Sequence, residues 1–190
     1  GDAGPRDIWT LPAAGGARQQ FPDHSAMDGS PVRAPDGTEL AFHTDRGGTE
    51  RVWVAAEREG RRVGEARPLT DSATSVHGFT WSPEGTEVAY VAPLEGVNEV
   101  WLQALDGETQ ARRLTTGAGA LDPRWPHDGG GLVVQGLWGR SVPSLRTVDP
   151  ATGQAAPLPL EVATGPTSEV ADFDVSPDGR WLAVIEVEHR

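Results

Sequence analysis

The chain contains neither cysteine nor lysine. Without cysteine there can be no disulfide, no thiol nucleophile and no thiolate zinc site. All 16 cationic side chains are arginine, so a catalytic lysine or a Schiff base is excluded as well. No apolar run approaches the roughly 20 residues that cross a bilayer as a helix. Positive charge is scarce overall. The formal net charge of −12 leaves no basic footprint for nucleic acid or an anionic membrane surface.

Catalytic signatures are missing too. There is no Gly-x-Ser-x-Gly elbow; Gly139-Arg140-Ser141-Val142-Pro143 lacks the second glycine. The glycine-rich run at 127–132 lacks the lysine of a phosphate-binding loop. The histidines His24, His43, His77, His127 and His189 show neither His-x-His nor His-Glu-x-x-His spacing. Asp36, Asp128 and Asp178 each sit in a Pro/Gly turn and read as turn caps, not calcium ligands. No metal site and no cofactor are expected, and no enzymatic activity in this stretch.

What the chain does have is a repeat. Arg33-Ala-Pro-Asp-Gly37, Trp81-Ser-Pro-Glu-Gly85, Trp125-Pro-His-Asp-Gly129 and Val175-Ser-Pro-Asp-Gly179 are four versions of one turn, their glycines 48, 44 and 50 residues apart. Proline presets φ, aspartate bonds back to the backbone and glycine accepts positive φ. An apolar run follows each turn, as in Leu40-Ala41-Phe42 and Leu182-Ala183-Val184. A second strand core lies 16 residues past each of the first three glycines, at Trp53, Trp101 and Leu145. A short segment such as Arg67-Pro68-Leu69-Thr70 or Arg113-Leu114-Thr115 then closes the unit. The runs are short and bounded by turn residues, which predicts strands throughout and four antiparallel strands per repeat. That period is the mark of a β-propeller blade.

These motifs resemble the TolB-type, WD-repeat-like propeller, most closely over Phe79–Thr115. The resemblance implies an all-β, four-bladed propeller in one domain over 1–190, with blades near 28–70, 76–115 and 120–160. The fourth, at 170–190, would be completed by 6–22, because Asp7-Ile8-Trp9 matches a third strand and Val175–Val184 a first and second. Closure within one chain, a monomer, is the primary expectation; a pair of copies or part of a larger ring is the alternative. The family further implies a non-enzymatic protein- or peptide-binding module in an extracytoplasmic, periplasmic or secreted setting. The alternatives are the propeller portion of a prolyl-oligopeptidase-like hydrolase and an extracytoplasmic ligand- or sugar-binding protein.

Binding is expected at the channel mouth, where first strands begin. Aligned positions there are Ser30, Gly78, Asp122 and Asp172, then Val32, Thr80, Arg124 and Asp174. The loops after the second strands add Asp45, Arg46, Glu95, Asn98, Arg140, His189 and Arg190; His24 and His77 lie in equivalent inter-blade loops that can converge in a repeat fold. The candidate partner-binding residues are Asp45, Arg46, His77, Asp122, Arg124, Trp138, Arg140, Asp172 and Asp174. Trp138 and Trp181 fall outside the repeat register and are candidate contact aromatics. Trp9, Trp53, Trp81, Trp101 and Trp125 recur in register and are expected to pack between blades.

Overall fold

A computed structural model describes residues 6–21, 26–70, 75–158 and 168–188. All regular structure in them is β. In chain order the strands are β1 (Ile8–Thr10), β2 (Gln19–Phe21), β3 (Asp28–Arg33), β4 (Glu39–Thr44), β5 (Arg51–Arg58), β6 (Arg61–Pro68), β7 (His77–Trp81) and β8 (Glu87–Leu94). They continue as β9 (Val97–Ala104), β10 (Arg112–Arg113), β11 (Ala120–Arg124), β12 (Leu132–Gly136), β13 (Ser144–Val148), β14 (Ala155–Pro157), β15 (Ser168–Val175) and β16 (Leu182–Glu188). His24, His189 and Arg190 lie outside the described residues.

The strands form two compact units, Gly1–Val76 and His77–Arg190. The first holds a two-stranded sheet, β1–β2, and a four-stranded meander, β3–β4–β5–β6. The second holds two four-stranded meanders, β7–β10 and β11–β14, and the two-stranded sheet β15–β16. Every pairing is antiparallel.

The repeat turns fold identically. Gly37, Gly85 and Gly179 donate their N–H to the carbonyls of Ala34, Ser82 and Ser176 at 2.8–2.9 Å, and Gly129 to Pro126 at 3.4 Å. All four glycines have φ between +65° and +77°, the left-handed region where a Cβ is strained. The turn carboxylates cap as their spacing predicts. Asp36 accepts from the N–H and hydroxyl of Thr38, Asp128 from Gly130 N–H, and Asp178 from the Ser176 hydroxyl and Arg180 N–H. These bonds favour the ionised form and hold the Asp36 and Asp178 carboxyls below their ordinary range.

The closing Leu-Thr pair also has a job. Leu69 and Leu114 donate to the carbonyls of Val52 and Val100, and those same residues donate back to the hydroxyls of Thr70 and Thr115. Each threonine thus pins the end of its unit to the third strand, at Val52 in β5 and at Val100 in β9. In the third repeat the register differs by one residue from the expected one. Arg146 stands opposite Val134, where Trp53 faces Phe42 and Trp101 faces Tyr90, so Leu145 is not the tryptophan equivalent.

Sheet faces pack against neighbouring sheets within each unit. Ile8 and Phe21 meet Leu40, Phe42 and Ala55, with Phe21 and Phe42 edge to face at 6.4 Å. In the second unit Val91, Val100 and Leu102 join Leu132, Val134 and Val148. Val133 and Leu145 meet Val170 and Phe173. Trp81 is buried, and Trp125 packs against a core cluster. Trp53 and Trp101 are half-buried. Trp9 differs from the expected core role, being exposed with Arg18 stacked 4.2 Å from its ring centroid.

Candidate functional site

Each first strand carries a register shift near its start: between Gly29 and Val32, His77 and Phe79, Ala120 and Asp122, and Val170 and Asp172. A bulge inserts a residue and re-aims the side chains beside it. In the second unit three such bulged starts come together. A Cβ on Gly78 would lie 2.5 Å from Asp122 Oδ1, so β7 leaves room there for the aspartate of β11. One step on, Trp125 N–H donates to the Thr80 hydroxyl at 3.4 Å.

Asp122 and Arg124 form an ion pair at 2.5 Å, both partly exposed. The Arg124 guanidinium also lies 5.6 Å from the Phe173 ring centroid on β15. Burial pushes the Asp122 carboxyl above the usual aspartate range; Arg124 opposes this, and the Asp172 charge adds to it. Asp172 and Asp174 are exposed and accept from the N–H groups of Phe173 and Val175. Asp122, Arg124 and Asp172 are therefore one electrostatic cluster, and the exposed Asp174 follows two residues on along β15. His77 is exposed, one residue before the Gly78 contact.

The remaining candidates are placed differently. Ala120 pairs with Gly136, so the loop holding Trp138 and Arg140 rises at the end of the sheet where β11 begins. Trp138 has φ +52° and folds back onto its own sheet. Its indole N–H donates to the Ser144 carbonyl at 3.2 Å, and Arg146 lies 5.0 Å from its ring centroid. Arg140 is exposed. Trp181 stands outside the packing, 73% exposed.

In the first unit Asp45 accepts from Met27 N–H, and Arg46 reaches back to Asp28 at 3.1 Å. The Asp28 side chain is wholly buried and that of Arg46 nearly so. The guanidinium also covers Trp53 and Phe42, 4.8 and 5.4 Å from their ring centroids. Arg46 is thus held inside its own sheet. Sequence reasoning missed Asp28, although its carboxylate on a strand start is a signal of the same kind as Asp122. It also missed Glu99, which is buried on β9 and accepts from the Thr115 hydroxyl and the N–H groups of Gly117 and Ala118.

Among the described residues no three His, Asp or Glu side chains converge as a metal site. The cluster brings together carboxylates, one stacked arginine and an adjoining aromatic.

No protein-family model matches the chain. It is 28% identical over 182 residues to the uncharacterized peptidase YuxL of Bacillus subtilis, an alignment covering 93% of this chain and 24% of that protein. It is 29% identical over 127 residues to the Tol-Pal system protein TolB of Anaeromyxobacter dehalogenans, covering 63% of this chain and 27% of the other. The chain thus spans about a quarter of the length of these relatives. Among solved structures, TolB from Acinetobacter baumannii superposes with a TM-score of 0.75 at 19% identity, over 97% of this chain and 43% of that one. A puromycin-hydrolyzing peptidase from Mycobacterium tuberculosis gives 0.61 at 20% identity, over 90% and 28%. The fold is that of the TolB-type propeller.

Proposed function

We propose that this chain is a non-enzymatic binding segment whose bulged first-strand starts receive a basic stretch of a protein or peptide partner. The observation that carries this reading is the cluster of Asp122, Arg124 and Asp172, with the exposed Asp174 two residues on along β15. An incoming arginine or amine would take the place of Arg124 beside Asp122 and reach the exposed carboxylates next to it. The likeness to TolB supports a partner-binding role and an extracytoplasmic setting. His77 and Arg140 extend the proposed surface, and Trp138 supports the loop that bears Arg140.

Titration calorimetry with a short arginine-rich peptide tests this, with a glutamate-rich peptide as control. Binding that weakens with salt and is lost in an Asp172→Asn/Asp174→Asn variant supports the site. Binding unchanged in that variant, or none at all, removes it.

A second reading is favoured by the alignment with YuxL over 93% of the chain. Here the segment is the propeller portion of a larger hydrolase, and the same surface screens substrates without doing chemistry. Reading the flanking gene for a Gly-x-Ser-x-Gly elbow separates the two.

A further inference from the structure

Arg33, Arg46 and Arg124 each meet a carboxylate, and each does so differently. Arg33 engages Glu57 as a fork, Nε on Oε2 at 2.9 Å and Nη2 on Oε1 at 2.6 Å. Arg46 is locked onto Asp28, whose side chain is wholly buried. Arg124 with Asp122 is neither forked nor locked. Only Nη1 is engaged, on Asp122 Oδ1 at 2.5 Å and on the Pro123 carbonyl at 3.1 Å. The two side chains keep 35% and 23% of their surface exposed.

The strand explains the loose contact. β11 sets Asp122 and Arg124 two residues apart, so their side chains leave the same face and run side by side. From there a guanidinium reaches the neighbouring carboxylate with one corner and cannot present its planar fork. Asp122 Oδ2 accepts no hydrogen bond among the described residues. A guanidinium arriving from outside has no such constraint. It can meet Asp122 end-on and donate to both oxygens, with the Asp172 charge close enough to act on the same place.

We propose that Arg124 is a built-in competitor: it holds Asp122 in the free protein and is displaced by the guanidinium of a partner arginine, which the site prefers to a lysine amine. This rests on the binding reading given above and narrows its ligand from any basic group to a guanidinium. A local, single-point, partly exposed ion pair is weak, so one forked pair suffices to displace it. A tethered competitor lowers the apparent affinity in proportion to the fraction of time the carboxylate is free. Arg124 thereby sets the threshold of the site, and the released side chain turns to the solvent that already reaches a third of it.

Calorimetry with the arginine-rich peptide, and with a lysine-rich peptide of equal length, compares the wild type with Arg124→Met and Arg124→Gln. Methionine keeps an unbranched stem beside Phe173, over which the guanidinium now lies, so packing is retained while the charge goes. Arginine-peptide affinity should tighten about three- to tenfold in both variants. Arg113→Gln removes the same charge from exposed β10 and should change affinity by less than about twofold. The lysine-rich peptide should bind the wild type about fivefold more weakly than the arginine-rich one.

Carboxyl-carbon NMR adds a readout independent of affinity. Arg124 holds the Asp122 carboxyl down against the effect of burial. Arg124→Met should therefore move the Asp122 titration up, and saturating arginine-rich peptide should bring it back down. Unchanged or weaker binding in both Arg124 variants, while the wild type binds and Asp172→Asn/Asp174→Asn does not, overturns the competitor and leaves the binding site standing. Equal affinity for the two peptides also overturns it, since a point charge would then suffice. Absence of binding in the wild type and in every variant removes the site itself, and this inference with it.

Discussion

β8 and β16 are written nearly alike, Glu87-Val-Ala-Tyr-Val91 and Trp181-Leu-Ala-Val-Ile185, each directly after a turn of the same type. Val88, Ala89 and Val91 are wholly buried, whereas Val184 and Ile185 are exposed. The local conformation is shared, since both strands pair antiparallel with a bulged first strand. What differs is the neighbourhood. β8 lies between β7 and β9 and faces the apolar side of the next sheet, while among the described strands β16 pairs with β15 alone. The repeat thus fixes how a strand is made, and the number of strands around it decides how much that strand contributes to stability.

The largest expected effect breaks this comparison at one repeat position. Val91 and Ile185 both stand six residues past the turn glycine. Val91→Asp places an unpaired charge in a packed core and should cost about 4 kcal/mol or more, enough to unfold a marginal domain. Ile185→Asp, on an exposed side chain, should stay within about 0.5 kcal/mol. Urea denaturation measures both. Equal destabilisation would mean that the Ile185 side chain is buried as Val91 is.

A second contrast sets a buried pair against a surface one. Arg46→Ala strands the Asp28 carboxylate without its partner, and a loss of about 3–5 kcal/mol is expected. Arg62 and Glu65 lie 3.3 Å apart with the Glu65 side chain almost fully exposed. Arg62→Ala should therefore cost at most about 1 kcal/mol. Replacing Asp28 and Arg46 together by apolar residues should recover much of the first loss, and thermal unfolding of the three variants gives the coupling directly.

The closing threonines sharpen the comparison between complete sheets. Thr70→Val removes one acceptor from a buried N–H and should cost about 1–2 kcal/mol. Thr115→Val should cost about 1 kcal/mol beyond that, because the Thr115 hydroxyl also donates to the buried Glu99 carboxylate. Equal losses would show that Glu99 relies on the Gly117 and Ala118 N–H groups alone.

Much of the architecture was legible because it is local. Turn chemistry at Gly37, Gly85, Gly129 and Gly179, short apolar runs and the Leu-Thr closure are properties of a few adjacent residues, and they placed the strands. The shift that puts Arg146 in the place of a tryptophan was not legible, since a bulky apolar residue at Leu145 satisfies the period better than an arginine does. Trp138 likewise stood out by composition, but its fold-back rests on a positive φ and a bond to the Ser144 carbonyl that no spacing encodes. For the site, the aligned first-strand positions Gly78, Asp122 and Asp172 are neighbours in the structure, Gly78 against Asp122 and the Asp172 charge acting on it. The alignment could not separate Arg46, tied to Asp28, from Arg124, which stays partly exposed. That difference depends on a carboxylate 18 residues away in sequence.

The smallest effect concerns Asp122 and Asp172, one repeat position in a complete sheet and in a half-sheet. Asp122 is largely buried and Asp172 exposed, and burial pushes the Asp122 carboxyl up. A carboxyl raised in the folded state favours folding while protonated. Its contribution is complete below the ordinary aspartate pKa of about 3.9 and is lost as pH rises through the raised value. Asp122→Asn keeps a neutral group at every pH. Measured against the wild type, the variant should therefore gain stability as pH rises through that window, and the two should run parallel below it. Asp172→Asn removes the neighbouring charge that helps raise Asp122, so the Asp122 titration, followed by carboxyl-carbon NMR, should move down toward the ordinary aspartate range. No movement would mean that the two first strands are electrically independent, and the proposed rim would then be two separate carboxylates instead of one site.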